Sequence, residues 1–245
     1  MNRQTSGGSC EKELEMTPQE FAGQQRSHVL FVLSNALKGH EVQLEQWYQG
    51  TYKSEILKMT GLLGVRHYKQ EEIDLMGGHY PIIPFKYLGI HDICIDGGQA
   101  AEVIIDRITE MHTLNRSSFN VATWLYFPIC EKVGRSPRIP RSGVTLAFAN
   151  GLPGRELEFR EWYVTRHIRH ALNIAAFVSG QCFERSLFQK TGTLESGFAL
   201  IAMYEQEGSA DSILESIAAL PPNTFEFPAI DEERTRFSES AYRAI

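Results

Sequence analysis

Two stretches of the sequence decide the fold: NALKGHEVQLEQWYQGTYKSEILKMTGLLGVRHY at 35–68 and NGLPGRELEFREWYVTRHIRHALNIAAFVSGQCF at 150–183. They align without a gap at a shift of 115 residues and share seven identities in 34 positions. Two of these identities form the dipeptide Trp-Tyr, and the whole chain contains only 3 tryptophans. Because self-similarity at a fixed shift is the mark of an internal repeat, we interpret the chain as a tandem duplication.

Each copy predicts the same order of elements. An apolar run that ends in Asn-x-Leu-x-Gly predicts a strand and a turn, and an amphipathic helix with the Trp-Tyr pair follows. A strand, a turn-rich loop, a longer strand, a second helix and a last strand complete the copy, and the last strand of the second copy is placed at 223–230. A further pair of segments, 87–98 and 198–209, aligns at a shift of 111. The order is therefore βαββαβ, twice.

This order predicts an α+β fold made of two tandem ferredoxin-like units. A βαββαβ unit covers one sheet face with its helices, and two uncovered faces can meet to form an intramolecular α+β barrel with an interior pocket. The expected boundaries are a flexible N-terminal segment at 1–27, a first unit at 28–134, a linker at 135–142, a second unit at 143–230, and a C-terminal helix or tail at 231–245.

The helix of the second copy carries the pattern Phe-x-x-Trp-Tyr-x-x-x-His, from Phe159 to His167. This pattern resembles the signature helix of the dimeric α+β barrel superfamily, and the resemblance covers about residues 28–230. That superfamily includes muconolactone isomerases, cofactor-free monooxygenases, polyketide cyclases, aldoxime dehydratases and haem-dependent chlorite dismutases, so the resemblance implies a fold and not one reaction. The first copy has Tyr52 in place of His167, which implies that the two halves differ in function.

Composition and motifs exclude several classes of function. A net charge of -6 provides no basic surface for nucleic acid. No apolar run approaches the ~18 residues of a spanning helix, so we expect no membrane partner and a cytoplasmic location. The 4 cysteines form no C-x-x-C pair, and the phosphate-binding, serine-hydrolase and zincin motifs are absent from the sequence. We therefore predict no metal and no cofactor.

Two histidines are the candidate catalytic residues. His167 occupies the superfamily's helix position, and an imidazole exchanges protons near neutral pH, although a histidine there can equally hydrogen-bond a neighbouring loop. His91 alternates in phase with Tyr87, Gly89 and Ile93, while Leu88, Ile90 and Cys94 form the more apolar set. We expect the apolar set to face the helices, so that His91 points into the cavity. At the shift of 111, its counterpart is Ala202.

Eight further residues are candidates for substrate binding. Arg66 and its counterpart Gln181 are expected to point inward, where an arginine holds a carboxylate or phenolate, unless both lie on an exposed edge. His79 and Tyr80, in a Gly-Gly-His-Tyr-Pro loop, form either a lid or only a turn. An aromatic pocket wall, or ordinary core packing, is expected from Tyr87, Trp124, Tyr126 and Phe198.

These residues favour a small-molecule enzyme in catabolism or secondary metabolism. The main hypothesis is a cofactor-independent lyase or isomerase that uses a pocket histidine on a hydrophobic, aromatic, oxygenated substrate. The alternatives are a cofactor-free or haem-dependent oxygenase or dehydratase, and a binding protein that leaves its small hydrophobic ligand unchanged. A homodimer is compatible with the outer faces that the barrel leaves available.

Overall fold

The computed structural model describes residues 26–75, 82–115, 118–138, 143–189, 197–221 and 238–245. The expected lid residues His79 and Tyr80 lie outside these ranges, as does the expected last strand at 223–230. No helix among the described residues is both long and apolar enough to cross a bilayer.

The first unit follows the predicted order. Its elements are β1 (His28–Ala36), α1 (Glu41–Trp47), a π-helical segment (Tyr48–Tyr52), α2 (Lys53–Ile56), β2 (Leu62–Gln70), β3 (Tyr87–Ile93), α3 (Gly98–Leu114) and β4 (Ser118–Pro128). The turn between α2 and β2 contains Gly61, whose φ of 84° suits glycine, and a Cβ added to this residue would lie 2.9 Å from the carbonyl oxygen of Cys94. A short strand, β5 (Val133–Gly134), follows and pairs with the second unit.

The second unit repeats this arrangement. Its elements are β6 (Gly143–Ala149), α4 (Glu156–Trp162), a π-helical segment (Tyr163–His167), α5 (Ile168–Ala171), β7 (Phe177–Arg185), β8 (Leu200–Gln206), α6 (Ala210–Ala218) and β9 (Ser238–Ala244). The two π-helical segments occupy equivalent positions at the repeat shift of 115 residues.

Eight antiparallel strands close into one barrel, in the order β4-β1-β3-β2-β9-β6-β8-β7, and β4 pairs with β7 to complete the ring. The last long strand of each unit joins the two units. β4 pairs with β1 of its own unit and with β7 of the other, and β9 pairs with β6 of its own unit and with β2 of the other. The predicted α+β class and the predicted intramolecular barrel are therefore confirmed.

The expected C-terminal helix or tail is wrong for residues 238–244, which form the strand β9. This strand lies between β2 and β6, whose edges would otherwise leave backbone groups unpaired. Tyr242 of β9 lies in the barrel interior, while Ala241 packs beneath the helices of the second unit. The second unit therefore extends beyond the expected boundary at 230.

Side chains from both units meet inside the barrel. The ring of Phe31 in β1 lies 6.0 Å from the ring of Phe183 in β7, and 5.7 Å from that of Tyr126 in β4. Because β1 and β7 are not neighbours, the first contact crosses the interior. At this level the barrel is filled by side chains, and the expected open interior pocket does not exist there. Two further clusters of buried side chains lie between each unit's helices and the outer face of the barrel.

Candidate functional site

Strand pairing corrects the repeat alignment of β3 and β8. Val32 of β1 pairs with Gly89, and its equivalent Ala147 of β6 pairs with Ala202. Gly89 and Ala202 differ by 113 residues, not by 111. The structural counterpart of His91 is therefore Tyr204, and the counterpart of Asp92 is Glu205.

His91 does not point into the barrel, so the predicted orientation is wrong. It lies on the outer face of β3 with Tyr87 and Ile93, beneath the helices of the first unit, while Leu88 and Ile90 face the interior. Both faces of this strand are buried, one by helices and one by the opposite barrel wall. An alternating pattern cannot distinguish the two sides of such a strand.

His91 forms a closed hydrogen-bond network between strand and helix. Its Nε2 lies 2.7 Å from the Tyr52 hydroxyl, and its Nδ1 lies 3.3 Å from the carbonyl oxygen of Leu30. A carbonyl only accepts, so Nδ1 carries the proton and Nε2 accepts from Tyr52. Burial lowers the pKa of His91 to about 4, which keeps the imidazole neutral near pH 7.

Two other buried histidines fill the same layer of the first unit. The ring of His67 stacks on Tyr48 at 4.4 Å, and the ring of His112 lies 5.1 Å from that of Trp47. Burial lowers the pKa of His112 to about 3 and holds the pKa of His67 well below its usual value. No group of metal-ligand residues that could hold an ion exists among the described residues.

The second unit exchanges the positions of the imidazole and the phenol. The two π-helical segments end in Tyr52 and His167, and the facing strand residues are His91 and Tyr204. Each unit therefore places one histidine and one tyrosine between its helix and its sheet. π-helical turns recur at functional sites, which directs attention to this layer.

His167 is buried within the aromatic side chains of its own helix. Its ring is parallel to that of Tyr163 at 4.7 Å, lies 5.0 Å from Trp162, and is 6.4 Å from Tyr204. Burial, and then the neighbouring His170, lower the pKa of His167 to about 3. The imidazole is therefore neutral at pH 7, with one protonated and one unprotonated ring nitrogen.

Tyr204 and Glu239 add two polar groups to this layer. The Tyr204 hydroxyl is buried and has no hydrogen-bond partner within the described part of the chain. Part of the surface of Glu239 reaches solvent, yet protein atoms surround its carboxyl, and burial raises its pKa to about 7. Burial, followed by charged neighbours that include Glu239, raises the pKa of Tyr204.

The sheet beneath the second helix pair is built from smaller side chains than its counterpart. When the strand pairings of the two units are matched, five sheet positions of the first unit have equivalents in the second, and the second unit has the smaller residue at each of them. The changes from the first unit to the second are Leu30 to Thr145, Val32 to Ala147, Val65 to Gly180, His67 to Cys182 and Leu125 to Ala241. The ring of Tyr204 uses part of this space, because a Cβ on Gly180 would lie 2.9 Å from it.

Arg66 and Gln181 both point inward and join a charged network at one end of the barrel. Arg66 lies 3.0 Å from Asp92 and reaches across the interior to Glu205 at 3.5 Å. Gln181 accepts a hydrogen bond from Arg26 and donates one to the carbonyl oxygen of Cys130 at 2.9 Å. This network and the histidines lie on opposite faces of the sheet, so they cannot contact the same small ligand.

The four aromatic candidates do not form one pocket wall. Tyr87 faces the helices of the first unit, and its hydroxyl donates to Glu45 at 3.0 Å. Trp124, Tyr126 and Phe198 belong to the interior cluster, where Tyr126 donates to the carbonyl oxygen of Phe198 at 2.8 Å. The structure thus separates these residues into two layers.

The superfamily resemblance suggests haem as a cofactor, but haem does not fit the described residues around either histidine. Both ring nitrogens of His91 are occupied by hydrogen bonds. In the second unit, the Tyr163 hydroxyl donates to the carbonyl oxygen of Ala147 at 2.9 Å, and the Cys182 thiol lies 3.8 Å from the carbonyl oxygen of Tyr163. These bonds bring helix and sheet into direct contact at Tyr163, whose ring stacks on that of His167, which leaves no gap for a haem macrocycle between them.

Comparison with known proteins identifies the fold. No protein-family model matches the chain, and no curated protein matches its sequence. A candidate monooxygenase from Fusobacterium nucleatum subsp. nucleatum is 12% identical, covers 90% of this chain and 94% of its own, and superimposes with a TM-score of 0.58. An anthrone oxidase-like protein is 10% identical, with coverages of 91% and 92% and a TM-score of 0.57. A mutant chlorite dismutase from Candidatus Nitrospira defluvii is 11% identical, with coverages of 93% and 95% and a TM-score of 0.55. The chain therefore has the fold of the dimeric α+β barrel superfamily, with both halves in one polypeptide.

Proposed function

We propose that the chain is a cofactor-independent oxygenase for hydroxylated polycyclic aromatic compounds, with its active site beside Tyr204, where the sheet of the second unit carries the small residues Thr145, Gly180 and Ala241 instead of the larger ones of the first unit. The observation that carries this proposal is the buried Tyr204 hydroxyl, which has no partner among the described residues and lies near His167 and Glu239. Buried hydroxyls normally have a partner, so this one is free to bind a substrate oxygen.

The titratable groups suit removal of a proton from carbon or from a phenol. Glu239 has a pKa of about 7, so its carboxyl is part ionised at neutral pH and can accept a substrate proton. The Tyr204 hydroxyl would then donate a hydrogen bond to the oxyanion that forms. The resulting electron-rich anion reduces oxygen itself, so the substrate supplies the electrons. In this proposal His167, which is neutral, orients the ring or returns a proton.

The fold comparison supports an oxygenase over other enzyme classes only by analogy. The relatives reported above include proteins named for monooxygenase and anthrone oxidase activity, although a fold does not determine a reaction. The predicted lyase or isomerase would use the same acid–base groups without oxygen. The expected homodimer stays a prediction.

The test uses anthrone as the probe. The purified chain should consume one oxygen molecule for each anthrone, and convert it to anthraquinone and water. Mass spectrometry with labelled oxygen should find one labelled atom in the product. Glu239→Gln and Tyr204→Phe should each lower the rate about 100-fold, whereas Glu158→Gln, on the exposed surface of the same unit, should have no effect.

Three outcomes would contradict parts of the proposal. Anthrone turnover without oxygen uptake would favour the lyase or isomerase hypothesis. A Soret band that accompanies activity would show that haem is used. Equal rates for wild type and both variants would move the active site out of this layer.

A further inference from the structure

Two cysteines that are far apart in the sequence lie in contact. The backbone N–H of Cys182 donates to the Sγ of Cys130 at 3.3 Å. They are separated by 52 residues, so their spacing predicts no pair. The sulfur of Cys130 therefore lies within about 4.8 Å of the Cys182 Cα, since an N–Cα bond adds about 1.5 Å.

The two thiols differ in access to solvent. Cys130 is partly exposed, in the connector between β4 and β5. Cys182 is fully buried in β7, and its thiol lies 3.8 Å from the carbonyl oxygen of Tyr163. A reagent from solvent would thus meet Cys130 first, with Cys182 directly behind it.

The surroundings of Cys130 and Cys182 also give the two thiols different reactivity. The adjacent Cys182 side chain, and the Cys182 backbone N–H that donates to the Cys130 sulfur, lower the pKa of Cys130 to about 7. The adjacent Cys130 side chain, and then burial, raise the pKa of Cys182. A thiolate is the nucleophilic form of cysteine, so Cys130 is the reactive member at neutral pH.

We propose that Cys130 and Cys182 form a peroxide-reactive pair, in which Cys130 is oxidised first and Cys182 then closes an intramolecular disulfide. This site goes beyond the proposed oxygenase function and does not depend on it. It rests on the hydrogen bond from the Cys182 backbone N–H to the Cys130 sulfur, on the partial exposure of Cys130, and on the burial of Cys182.

Both steps balance with hydrogen peroxide as the oxidant. The Cys130 thiolate attacks one peroxide oxygen and breaks the O–O bond, which gives a sulfenic acid and releases hydroxide. The sulfur of Cys182 then attacks the sulfenic sulfur, and the S–O bond breaks. The departing hydroxide takes the thiol proton of Cys182 and leaves as water. The pair is oxidised by two electrons, and the peroxide is reduced.

The disulfide would have a structural consequence. It would tie the connector between β4 and β5 to β7, the strand that pairs with β4, β5 and β8. The thiol of Cys182 also lies beneath the π-helical segment at Tyr163. Disulfide formation withdraws this thiol from its contact with the Tyr163 carbonyl group.

The test exposes the full, reduced chain to equimolar hydrogen peroxide, then unfolds it in denaturant that contains N-ethylmaleimide to block the remaining thiols, and maps the peptides by mass spectrometry. A peptide that links Cys130 to Cys182 should form, and the alkylation of both cysteines should fall together. Cys94, which is also free and partly exposed, should stay fully alkylated. The variant Cys94→Ser should form the same link at the same rate.

Two variants separate the roles of the cysteines. In Cys182→Ser, a sulfenic acid should persist at Cys130 and be trapped by dimedone. In Cys130→Ser, peroxide should leave Cys182 unmodified, and this change at a partly exposed site tests the proposal even if Cys182→Ser fails to fold. Oxidation of Cys94 as fast as Cys130, or linkage of Cys130 to another cysteine, would overturn the proposal.

Discussion

The hydroxyl of Tyr52 lies 2.7 Å from Nε2 of His91, and the second unit holds His167 and Tyr204 at the equivalent positions. Duplication has thus kept an imidazole and a phenol between helix and sheet while exchanging the elements that supply them. In the first unit the two groups bond to each other. In the second unit their rings lie 6.4 Å apart, and the tyrosine hydroxyl has no partner among the residues that the structure describes. The first pair is therefore a direct hydrogen bond between helix and strand, whereas the second is not.

Removal of the Tyr52 hydroxyl should destabilise the fold. In Tyr52→Phe the ring keeps its packing, but Nε2 of the buried His91 loses its donor. An unsatisfied buried polar group costs about 1–3 kcal/mol, and we expect the free energy of unfolding to fall by that amount. Urea unfolding at neutral pH measures it.

Tyr204→Phe is the matched control for Tyr52→Phe. Its hydroxyl is equally buried and has no hydrogen-bond partner in the described ranges, so its removal should leave the free energy of unfolding unchanged or slightly higher. An equal loss of stability in the two variants would show that both hydroxyls are bonded in the folded protein.

Acid should destabilise the protein because buried histidines stay neutral in the fold. The pKa of His112 falls from 6.5 to about 3 on burial, so between these pH values the unfolded chain binds a proton at this residue and the folded protein does not. Stability is therefore lost as pH falls from 6.5 toward 3. Between pH 7 and pH 5 this one residue should cost about 2 kcal/mol.

The variant His112→Leu tests this contribution. It should lose about 2 kcal/mol less than wild type when urea unfolding is repeated at pH 5 after pH 7, because its buried side chain binds no proton in either state. An identical loss in the two proteins would mean that His112 is protonated in the fold, or that acid acts through other groups.

The duplication and the order of the elements were predictable because both depend on local features of the sequence, namely identities between the two copies and hydrophobic periodicity. Trp47-Tyr48 and Trp162-Tyr163 mark equivalent helices, and strands and turns follow from periodicity. β9 was not predictable, because Ser-Glu-Ser-Ala-Tyr-Arg-Ala contains no apolar run. It is a strand only because β2 and β6 offer edges that come together in the closed barrel.

The candidate site depended on register, which the sequence did not specify. Identities between β3 and β8 were too few to separate a shift of 111 from the observed 113, so Tyr204 was missed as the counterpart of His91. Glu239 was missed because it lies on the unexpected strand β9. Strand pairing, rather than composition, brings these residues together with His167.

Glu205 should be the most important carboxylate of the network at the barrel end. It accepts hydrogen bonds from Lys132, from the Ser179 hydroxyl at 2.6 Å and from Arg66 at 3.5 Å. Burial raises its pKa, but these partners outweigh burial and hold the pKa below 4.5. Glu205→Gln should therefore lower the free energy of unfolding by about 2–3 kcal/mol at pH 7.

The exposed Glu158 provides the control for Glu205. Its pair with Arg155 is open to solvent, so Glu158→Gln should leave the stability unchanged. The destabilisation by Glu205→Gln should shrink as pH falls through the lowered pKa of Glu205, where the wild-type carboxylate is itself protonated. A destabilisation independent of pH would point to lost packing instead of lost charge.

Gly134 in β5 should be essential for docking the connector onto β7. Its φ is 98°, and a Cβ there would lie 2.4 Å from the carbonyl oxygen of Val178. Gly134→Ala should therefore cost about 1–3 kcal/mol. Gly50, in the first π-helical segment, has nothing within 4 Å of a Cβ, so Gly50→Ala should stabilise the protein by about 0.4–1 kcal/mol. Thermal and urea unfolding compare the two variants.

Because β5 holds the connector that carries Cys130, Gly134→Ala should also lower the yield of the disulfide with Cys182, whereas Gly50→Ala should not. A stable Gly134→Ala protein with an undiminished disulfide would show that the connector is positioned by contacts other than β5.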